Sequence, residues 1–177
     1  KGYLKRIREI CNKHGILLIF DEVITGWGRT GSAFAAQEWN VTPDIMTMAK
    51  ATTNGVVPMG VVAVKEEIYD AVMDASPKGA VELFHGYTYS GIPVSVAAAL
   101  AVQDIFEKEN IFKKSKEMSP YFLDGIFSLK DLDGVDNIRG YGMMAGVDMK
   151  LKEKPGKAGY ECFKECYEAG VNFKATG

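Results

Sequence analysis

A short, uninterrupted apolar run constrains the fold more than any other feature of this sequence. Ile16–Phe20 is apolar throughout, and it follows a helical pattern over residues 2–13 that stops near His14-Gly15. An apolar run without alternation is typical of a strand covered on both faces in a parallel sheet, whereas a strand with one wet face alternates. The run therefore predicts a strand of an α/β domain that ends at Asp21-Glu22.

Similar patterns predict the other elements. A glycine-rich turn at residues 25–31 precedes a short helix at 33–39 and strands at 45–48 and 59–64; helices are predicted at 66–73, 94–109, 113–129 and 160–169, and strands at 140–149 and from 171. We expect residues 1–110 to be part of a large sheet-and-helix domain, 111–130 to be a connecting helix, and 131–177 to begin a smaller α+β domain. The chain opens inside a helical pattern without a cap and stops as a strand begins, so we expect a piece of a longer protein.

Charge and cysteine content limit the partners and the compartment. The 177 residues include 21 basic and 23 acidic side chains, and a net charge of -2 creates no field that would attract nucleic acid or an anionic membrane. No apolar run approaches the roughly 20 residues that cross a bilayer. The 3 cysteines lack the spacings of a disulfide framework and fit a reducing compartment. We expect a cytoplasmic protein whose partners are small molecules or other subunits.

Two charged side chains stand at predicted strand ends, where open parallel sheets bind ligands. Asp21 ends the first predicted strand, and Lys50 follows the second. A neutral lysine can form an imine with an aldehyde, and an aspartate can keep the nitrogen of a pyridine cofactor protonated. The pair alone does not decide the function, because a strand-end lysine is commonly a solvated charge and a strand-end aspartate is commonly a turn or cap residue.

The residues around this pair carry a family resemblance. Phe20–Gly31 resembles the signature of class III aminotransferases, in which Asp-Glu-Val precedes a Gly-aromatic-Gly-Arg-Thr-Gly loop. Pro43–Ile45 followed by Ala49-Lys50 matches the lysine segment of that family, and Val57–Gly60 also agrees with it. Glu82–Gly91 is similar to omega-amino-acid:pyruvate aminotransferases in particular.

The resemblance implies a fold type I, pyridoxal-phosphate-dependent transferase in which each matching residue has a role. Lys50 would hold the cofactor as a Schiff base and then shuttle a proton, Asp21 would pair with the pyridinium nitrogen, and Val23 would pack against one face of the ring. We expect Val23 to point the same way as Asp21, because it lies two residues further along an extended strand end. Thr88 would reach the cofactor phosphate of the neighbouring subunit, which implies a homodimer with shared active sites. Ala51 departs from the family, which commonly has glycine or a larger residue directly after this lysine.

The implied reaction is a transamination from an omega-amino acid or amine to a keto acid such as pyruvate, with residues 1–110 as the cofactor-binding portion. The family's phosphate-binding glycine-serine segment and ring-stacking aromatic would lie upstream, and its arginine for substrate carboxylates would lie downstream. We therefore expect little or no activity from these residues alone. Two alternatives stay open: a non-catalytic, truncated remnant that folds and dimerises, and an aminomutase of the same family.

The remaining features have simpler explanations. The glycines of the 25–31 turn favour a tight strand-to-helix connection over a phosphate cradle, since no Lys-Ser or Lys-Thr pair follows them. Arg29 is expected to fix this loop by an ion pair more than to bind a substrate carboxylate. Cys162 and Cys166 stand one helical turn apart and favour a core face over half of a metal site. His85 is expected in a packed interface loop.

Overall fold

The computed structural model describes residues 2–80, 83 and 85–176 of the chain. Glu82 and Phe84, which belong to the fourth motif of the resemblance, lie outside the described residues. The chain forms two compact units, Lys1–Glu117 and Met118–Gly177. The boundary falls inside the segment 111–130 that the sequence predicts as a connecting helix. The assignment of the units to a large and a small domain of a longer protein stays a prediction.

The first unit contains a mixed three-stranded sheet and the helices that connect its strands. Its elements are α1 (Tyr3–His14), β1 (Ile19–Asp21), α2 (Ala35–Glu38), β2 (Ile45–Met48), a 3₁₀ turn (Lys50–Thr52), β3 (Val61–Val64), α3 (Glu66–Ala75) and α4 (Pro93–Lys108), followed by α5 (Ile111–Phe127), which crosses the boundary. The strand order is β1-β2-β3, with β1 parallel and β3 antiparallel to β2. The α/β class predicted from the sequence is confirmed, and the sheet is mixed.

The apolar run that predicted β1 differs from the expectation in length and in burial. α1 ends where Gly15 takes a left-handed backbone with φ of 63°, but the strand begins only at Ile19. Ile16, Leu17 and Ile19 are 53%, 57% and 57% exposed, so the prediction that both faces are covered is wrong for this chain. Leu18 and Phe20 pack in the core cluster, whereas Ile16, Leu17 and Ile19 have no such cover in this chain.

One side of this edge strand packs against the first helix. The core cluster contains the buried side chains of Cys11, Leu18 and Val41. Leu4, Ile7 and Phe20 pack against it and are partly buried. The spacing of Leu4, Ile7 and Cys11 puts one apolar stripe of α1 on this cluster, as expected for an amphipathic helix on a sheet. Burying this stripe fixes α1 beside the strand that ends at Asp21.

A buried carboxylate ties three segments together at the amino end of β2. Asp44, which is 5% exposed, accepts a hydrogen bond from the backbone N–H of Leu18 at 2.7 Å. It also forms ion pairs of 2.7 Å with Arg8 of α1 and of 2.7 Å with Lys65, the residue before α3. The Leu18 N–H first, and then Lys65 and Arg8, hold the pKa of Asp44 well below its usual range.

The second unit differs most from its prediction. After α5 come a 3₁₀ turn (Ser128–Asp131), β4 (Val135–Tyr141), β5 (Met144–Met149) and α6 (Lys157–Glu168). The single strand predicted at 140–149 is wrong, because Gly142 reverses the chain with φ of 60° and produces an antiparallel hairpin. The strand predicted from residue 171 is also wrong, since 171–176 form neither helix nor strand. In the described part of the chain, no helix has both the length and the apolar character needed to cross a bilayer.

Candidate functional site

The parallel pairing of β1 and β2 brings the two charged strand ends to one edge of the sheet. The register aligns Ile19 with Ile45 and Asp21 with Thr47. Asp21 is the last residue of β1, and Lys50 lies three positions after Thr47, just beyond the end of β2. The carboxyl ends of adjacent parallel strands are where ligands bind in α/β sheets. The structure therefore puts a carboxylate and an amine at neighbouring positions of the kind of edge that binds small molecules.

Lys50 stands in a strained backbone conformation. It opens the 3₁₀ turn with φ of 44°, in the left-handed region, which costs a residue with a Cβ roughly 1–2 kcal/mol. The backbone N–H of Thr52 donates to the carbonyl of Ala49 at 2.9 Å and closes the turn. The Lys50 side chain is exposed, and no acidic group among the described residues forms an ion pair with it. Strained backbone of this kind is often found at functional sites.

Asp21 and Val23 form a turn and not an extended strand end. The backbone N–H of Val23 donates to Oδ1 of Asp21 at 3.0 Å, which bends the chain back immediately after β1. β1 ends at Asp21 and Val23 already lies in the turn, so the extended backbone expected between them is not observed. The common direction of the two side chains stays a prediction. Asp21 is exposed and Val23 is half-buried. The contact of Val23 with a cofactor ring stays a prediction.

Glu22 organises the loop that leaves this edge, a role that no sequence pattern predicted. Its side chain is 1% exposed and accepts hydrogen bonds from the backbone N–H groups of Ala35 at 3.0 Å and Ala36 at 2.7 Å. The hydroxyl of Thr25 donates to the same carboxylate at 2.5 Å. Glu22 thus satisfies two of the free N–H groups at the start of α2. A cap that acts from 13 and 14 residues away has no local spacing by which it could be recognised.

The glycine-rich turn is as tight as expected. A Cβ on Gly26 would lie 2.7 Å from the carbonyl oxygen of Glu22, and one on Gly28, where φ is 101°, would lie 3.0 Å from the ring of Phe112. These contacts require glycine for close packing between the strand and the helices. Arg29 is exposed, and no ion pair within the described segments includes it.

The side chain of Trp27 connects this turn to the lysine turn. Its Nε1–H donates to Oγ1 of Thr52 at 2.9 Å, and Thr52 Oγ1 in turn donates to the carbonyl of Ala49 at 3.0 Å. Thr52 is 3% exposed. The sequence did not predict this hydrogen bond, because its two partners lie 25 positions apart.

Thr88 lies in a separate, exposed turn before α4. Among the residues that the structure describes, no hydrogen bond joins Thr88 to Asp21, Val23 or Lys50. In the same segment His85 Nδ1 accepts the backbone N–H of Tyr87 at 3.1 Å, and the two rings are 4.5 Å apart. His85 is exposed in this chain, and its place in a packed interface loop stays a prediction. The role of Thr88 toward another subunit stays a prediction.

The two cysteines of α6 belong to no candidate metal centre among the residues that the structure describes. Across the described ranges there is no group of three or more His, Cys, Asp and Glu residues that could hold a metal ion. Cys162 and Cys166 are free and half-buried, and burial raises the pKa of the Cys162 thiol. Their partial burial agrees with the expectation of a helix face in a core.

The sequence of this chain is similar to those of known aminotransferases. The sequence matches the family described as aminotransferase class-III over residues 1–177. It is 44% identical to an omega-aminotransferase of Caulobacter vibrioides over 100% of this chain and 40% of that protein. It is 45% identical to an omega-amino acid–pyruvate aminotransferase of Pseudomonas putida over 93% of this chain and 38% of that protein. The chain thus spans about 40% of the length of the curated relatives it matches.

A solved structure agrees with the sequence matches. The crystal structure of an (S)-enantioselective omega-transaminase from Thermomicrobium roseum superimposes with a TM-score of 0.90 at 38% identity, covering 99% of this chain and 40% of that one. The predicted fold type I architecture is confirmed by this agreement. This chain therefore corresponds to about 40% of that omega-transaminase chain.

Proposed function

This chain belongs to the class III aminotransferase family, and from that premise we propose that the protein carrying it moves an amino group from an omega-amino acid or amine to a keto acid such as pyruvate. The relatives named for omega-amino acid and pyruvate support this choice of donor and acceptor. The observation that carries the proposal is the placement of Asp21 and Lys50 at adjacent carboxyl ends of β1 and β2.

The donor set at this edge fits pyridoxal phosphate. An exposed amine without an ion pair in the described part of the chain follows one strand, and an exposed carboxylate ends the strand paired with it. The cofactor offers an aldehyde to the amine and a ring nitrogen to the carboxylate. When bound, the cofactor supplies a protonated ring that accepts the electron pair left by substrate deprotonation. Asp21 would keep the ring nitrogen protonated through an ion pair, and Val23 would contact one face of the ring.

Lys50 would act twice in this proposal. Its amine would first hold the aldehyde covalently and, once released by the amino donor, would take a proton from the substrate carbon and return it at the aldehyde carbon. A lysine can do this only when its backbone is held in a fixed position from which the amine reaches both atoms, and we propose that the strained turn holds it there. The position of Lys50 is therefore as important to the proposal as its chemistry.

The finer features of the proposal concern assembly and location. We place Thr88 at the cofactor phosphate of a neighbouring subunit in a homodimer, since it lies in an exposed turn that makes no hydrogen bond to the strand-end residues of its own chain among those described. The described cysteines are all free, which supports a reducing compartment such as the cytoplasm.

Covalent labelling tests the proposal directly. The protein at its natural length is mixed with pyridoxal phosphate, reduced with borohydride and digested with a protease. The peptide masses are then measured by mass spectrometry. We expect the added mass on the peptide that contains Lys50, and its loss in Lys50→Ala. Lys78→Ala, which removes an exposed lysine from a turn after α3, should leave the label in place. A label on another lysine, or one that survives in Lys50→Ala, would refute the proposal.

Product analysis separates the related chemistries. With an omega-amino acid and pyruvate, a transaminase forms alanine and consumes the keto acid, whereas an aminomutase moves the amino group within one molecule and leaves pyruvate unchanged. A non-catalytic remnant would take up no label at Lys50. Formation of alanine in proportion to the donor consumed would support the transaminase.

A further inference from the structure

We propose that Trp27 and Thr52 are positioning residues for Lys50, a role that rests on the proposed function of that lysine. The Trp27 Nε1–H donates to Thr52 Oγ1 at 2.9 Å, and Thr52 Oγ1 donates to the carbonyl of Ala49 at 3.0 Å. This relay joins the loop after β1, which carries Val23, to the turn after β2, which carries Lys50. It connects the two segments that would hold opposite ends of one cofactor.

The lysine turn needs such support because its backbone is strained. Residues in sparsely populated backbone regions cost roughly 1–3 kcal/mol and persist where the surroundings over-determine them. The carbonyl of Ala49, directly before Lys50, accepts both the backbone N–H of Thr52 at 2.9 Å and its hydroxyl at 3.0 Å. Two donors on one carbonyl restrict the rotation of the peptide that leads into Lys50. The Thr52 hydroxyl therefore constrains the base of the reactive side chain.

Trp27 is fixed well enough to serve as the other end of the relay. Its backbone N–H donates to the carbonyl of Ala33 at 2.5 Å, and its ring lies 4.9 Å from that of Phe34 and 6.1 Å from that of Phe106. The loop that carries Trp27 is anchored by the buried carboxylate of Glu22. Because these three contacts fix Trp27, its hydrogen bond to Thr52 holds the two loops in a defined relative position.

The relay depends on one hydroxyl that accepts and donates at the same time. Threonine and serine have such a group, whereas valine has the shape of threonine without it. Leaving the partly buried Trp27 N–H and the Ala49 carbonyl without this partner frees the turn to relax. Because a displacement of about 1 Å at a reacting group lowers a rate by about a hundredfold, a small relaxation has a large effect on turnover.

Thr52→Val tests the relay in the protein at its natural length, loaded with pyridoxal phosphate. We expect kcat to fall by about tenfold to a hundredfold, with KM for the amino donor changed by less than about twofold. The rate of covalent attachment of Lys50 to added pyridoxal phosphate, followed by absorbance without any amino donor, should fall in parallel. Thr52→Ser, which keeps the hydroxyl, should restore both rates to within about threefold of the parent.

Trp27→Phe removes the other end of the same bond while keeping an aromatic ring in place. We expect the same direction of change, and the double variant with Thr52→Val should lose little more than the worse single variant, since both remove one interaction. Trp27→Phe also keeps the proposal open to test if Thr52→Val does not fold.

Thr53→Val is the matched control for loss of a buried hydroxyl. Thr53 is 2% exposed and donates to the carbonyl of Val57 at 2.5 Å, away from Ala49. We expect Thr53→Val to lose about as much unfolding free energy as Thr52→Val. Its kcat and its attachment rate should stay within about threefold of the parent's. Equal effects of Thr52→Val and Thr53→Val on both rates would overturn the proposal, as would unchanged rates in Thr52→Val. If the parent labels at Lys50 and Thr52→Val behaves like it, only the positioning role fails; if the parent does not label at Lys50, the proposed function fails with it.

Discussion

At the amino end of β2 a buried carboxylate is neutralised by two cations, whereas just beyond the carboxyl end of the same strand an exposed amine has no ionic partner among the described residues. β2 has 4 residues, so its first and last Cα atoms are only about 10 Å apart. A charge that is buried and paired, such as that of Asp44, stabilises a fold but is not free to react. The Lys50 amine is free to react and contributes little to stability.

The two ends are also held by different forces. Arg8 and Lys65 fix Asp44 mainly by charge, at 2.7 Å each. Hydrogen bonds between neutral groups fix the backbone of Lys50, through Thr52 and Trp27. An ion pair with Lys50 would favour its protonated form and suppress attack on an aldehyde, so neutral supports suit a reactive amine better. The comparison predicts that substitutions at the two ends affect different properties.

The largest expected effect is on catalysis at the carboxyl end. Lys50→Ala should lower kcat by at least about a thousandfold, because it removes the group that we propose holds the cofactor and moves the proton. The unfolding free energy should change by less than about 0.5 kcal/mol, since alanine keeps a Cβ in the same left-handed backbone and no ion pair is lost. Steady-state kinetics and urea unfolding on the same preparation measure both. A loss of stability larger than that of Asp44→Asn would break the comparison.

Asp21→Asn should have the next largest effect on catalysis. Removing the carboxylate from the ring nitrogen should reduce kcat by about a hundredfold, with a smaller effect on cofactor affinity, because the charge matters most when electrons enter the ring. Kinetics with a deuterated amino donor should show a larger isotope effect as proton removal becomes slower. Unchanged turnover in Asp21→Asn would remove Asp21 from the site.

At the amino end, Asp44→Asn should affect stability and not chemistry. Asparagine can still accept the Leu18 N–H, but Arg8 and Lys65 lose their partner, and we expect a decrease of about 2 kcal/mol in the unfolding free energy. Asp70→Asn, which changes an exposed carboxylate of α3, should change it by less than about 0.5 kcal/mol. Urea unfolding of the apoprotein measures both variants. Equal stability of the two would show that the Asp44 pairs add nothing net.

The smallest expected effect is the acid dependence of that stability. The pKa of Asp44 in the folded chain lies below its value in the unfolded chain, about 3.9, so its contribution is complete above about pH 4 and decreases as the pH falls toward the folded pKa. The parent should therefore lose stability on going from about pH 5 to about pH 3 faster than Asp44→Asn does. Parallel pH profiles of the two proteins would contradict this assignment.

Local patterns in the sequence were enough to locate the two strand ends that we propose hold the cofactor. Apolar runs at Ile16–Phe20 and Ile45–Met48, each closed by polar residues, put Asp21 and Lys50 at strand ends because burial and backbone pairing stop together where the chain turns to solvent. The ordered motifs around them identified the family, and the comparisons agree. Apolar runs and short motifs involve residues close together in the chain, which is why they can be recognised in the sequence alone.

Tertiary packing sets which strands pair, where the chain reverses and what supports the turn of Lys50. The antiparallel direction of β3, the hairpin at Gly142, the exposed faces of β1 and the bend at Val23 follow from partners distant in sequence or from single backbone angles. The relay from Trp27 to Thr52 spans 25 positions, and the pair of Arg8 and Asp44 spans 36. A hydrogen bond across such a span forms only when packing has brought both groups together. The local periodicity of the sequence therefore does not predict it.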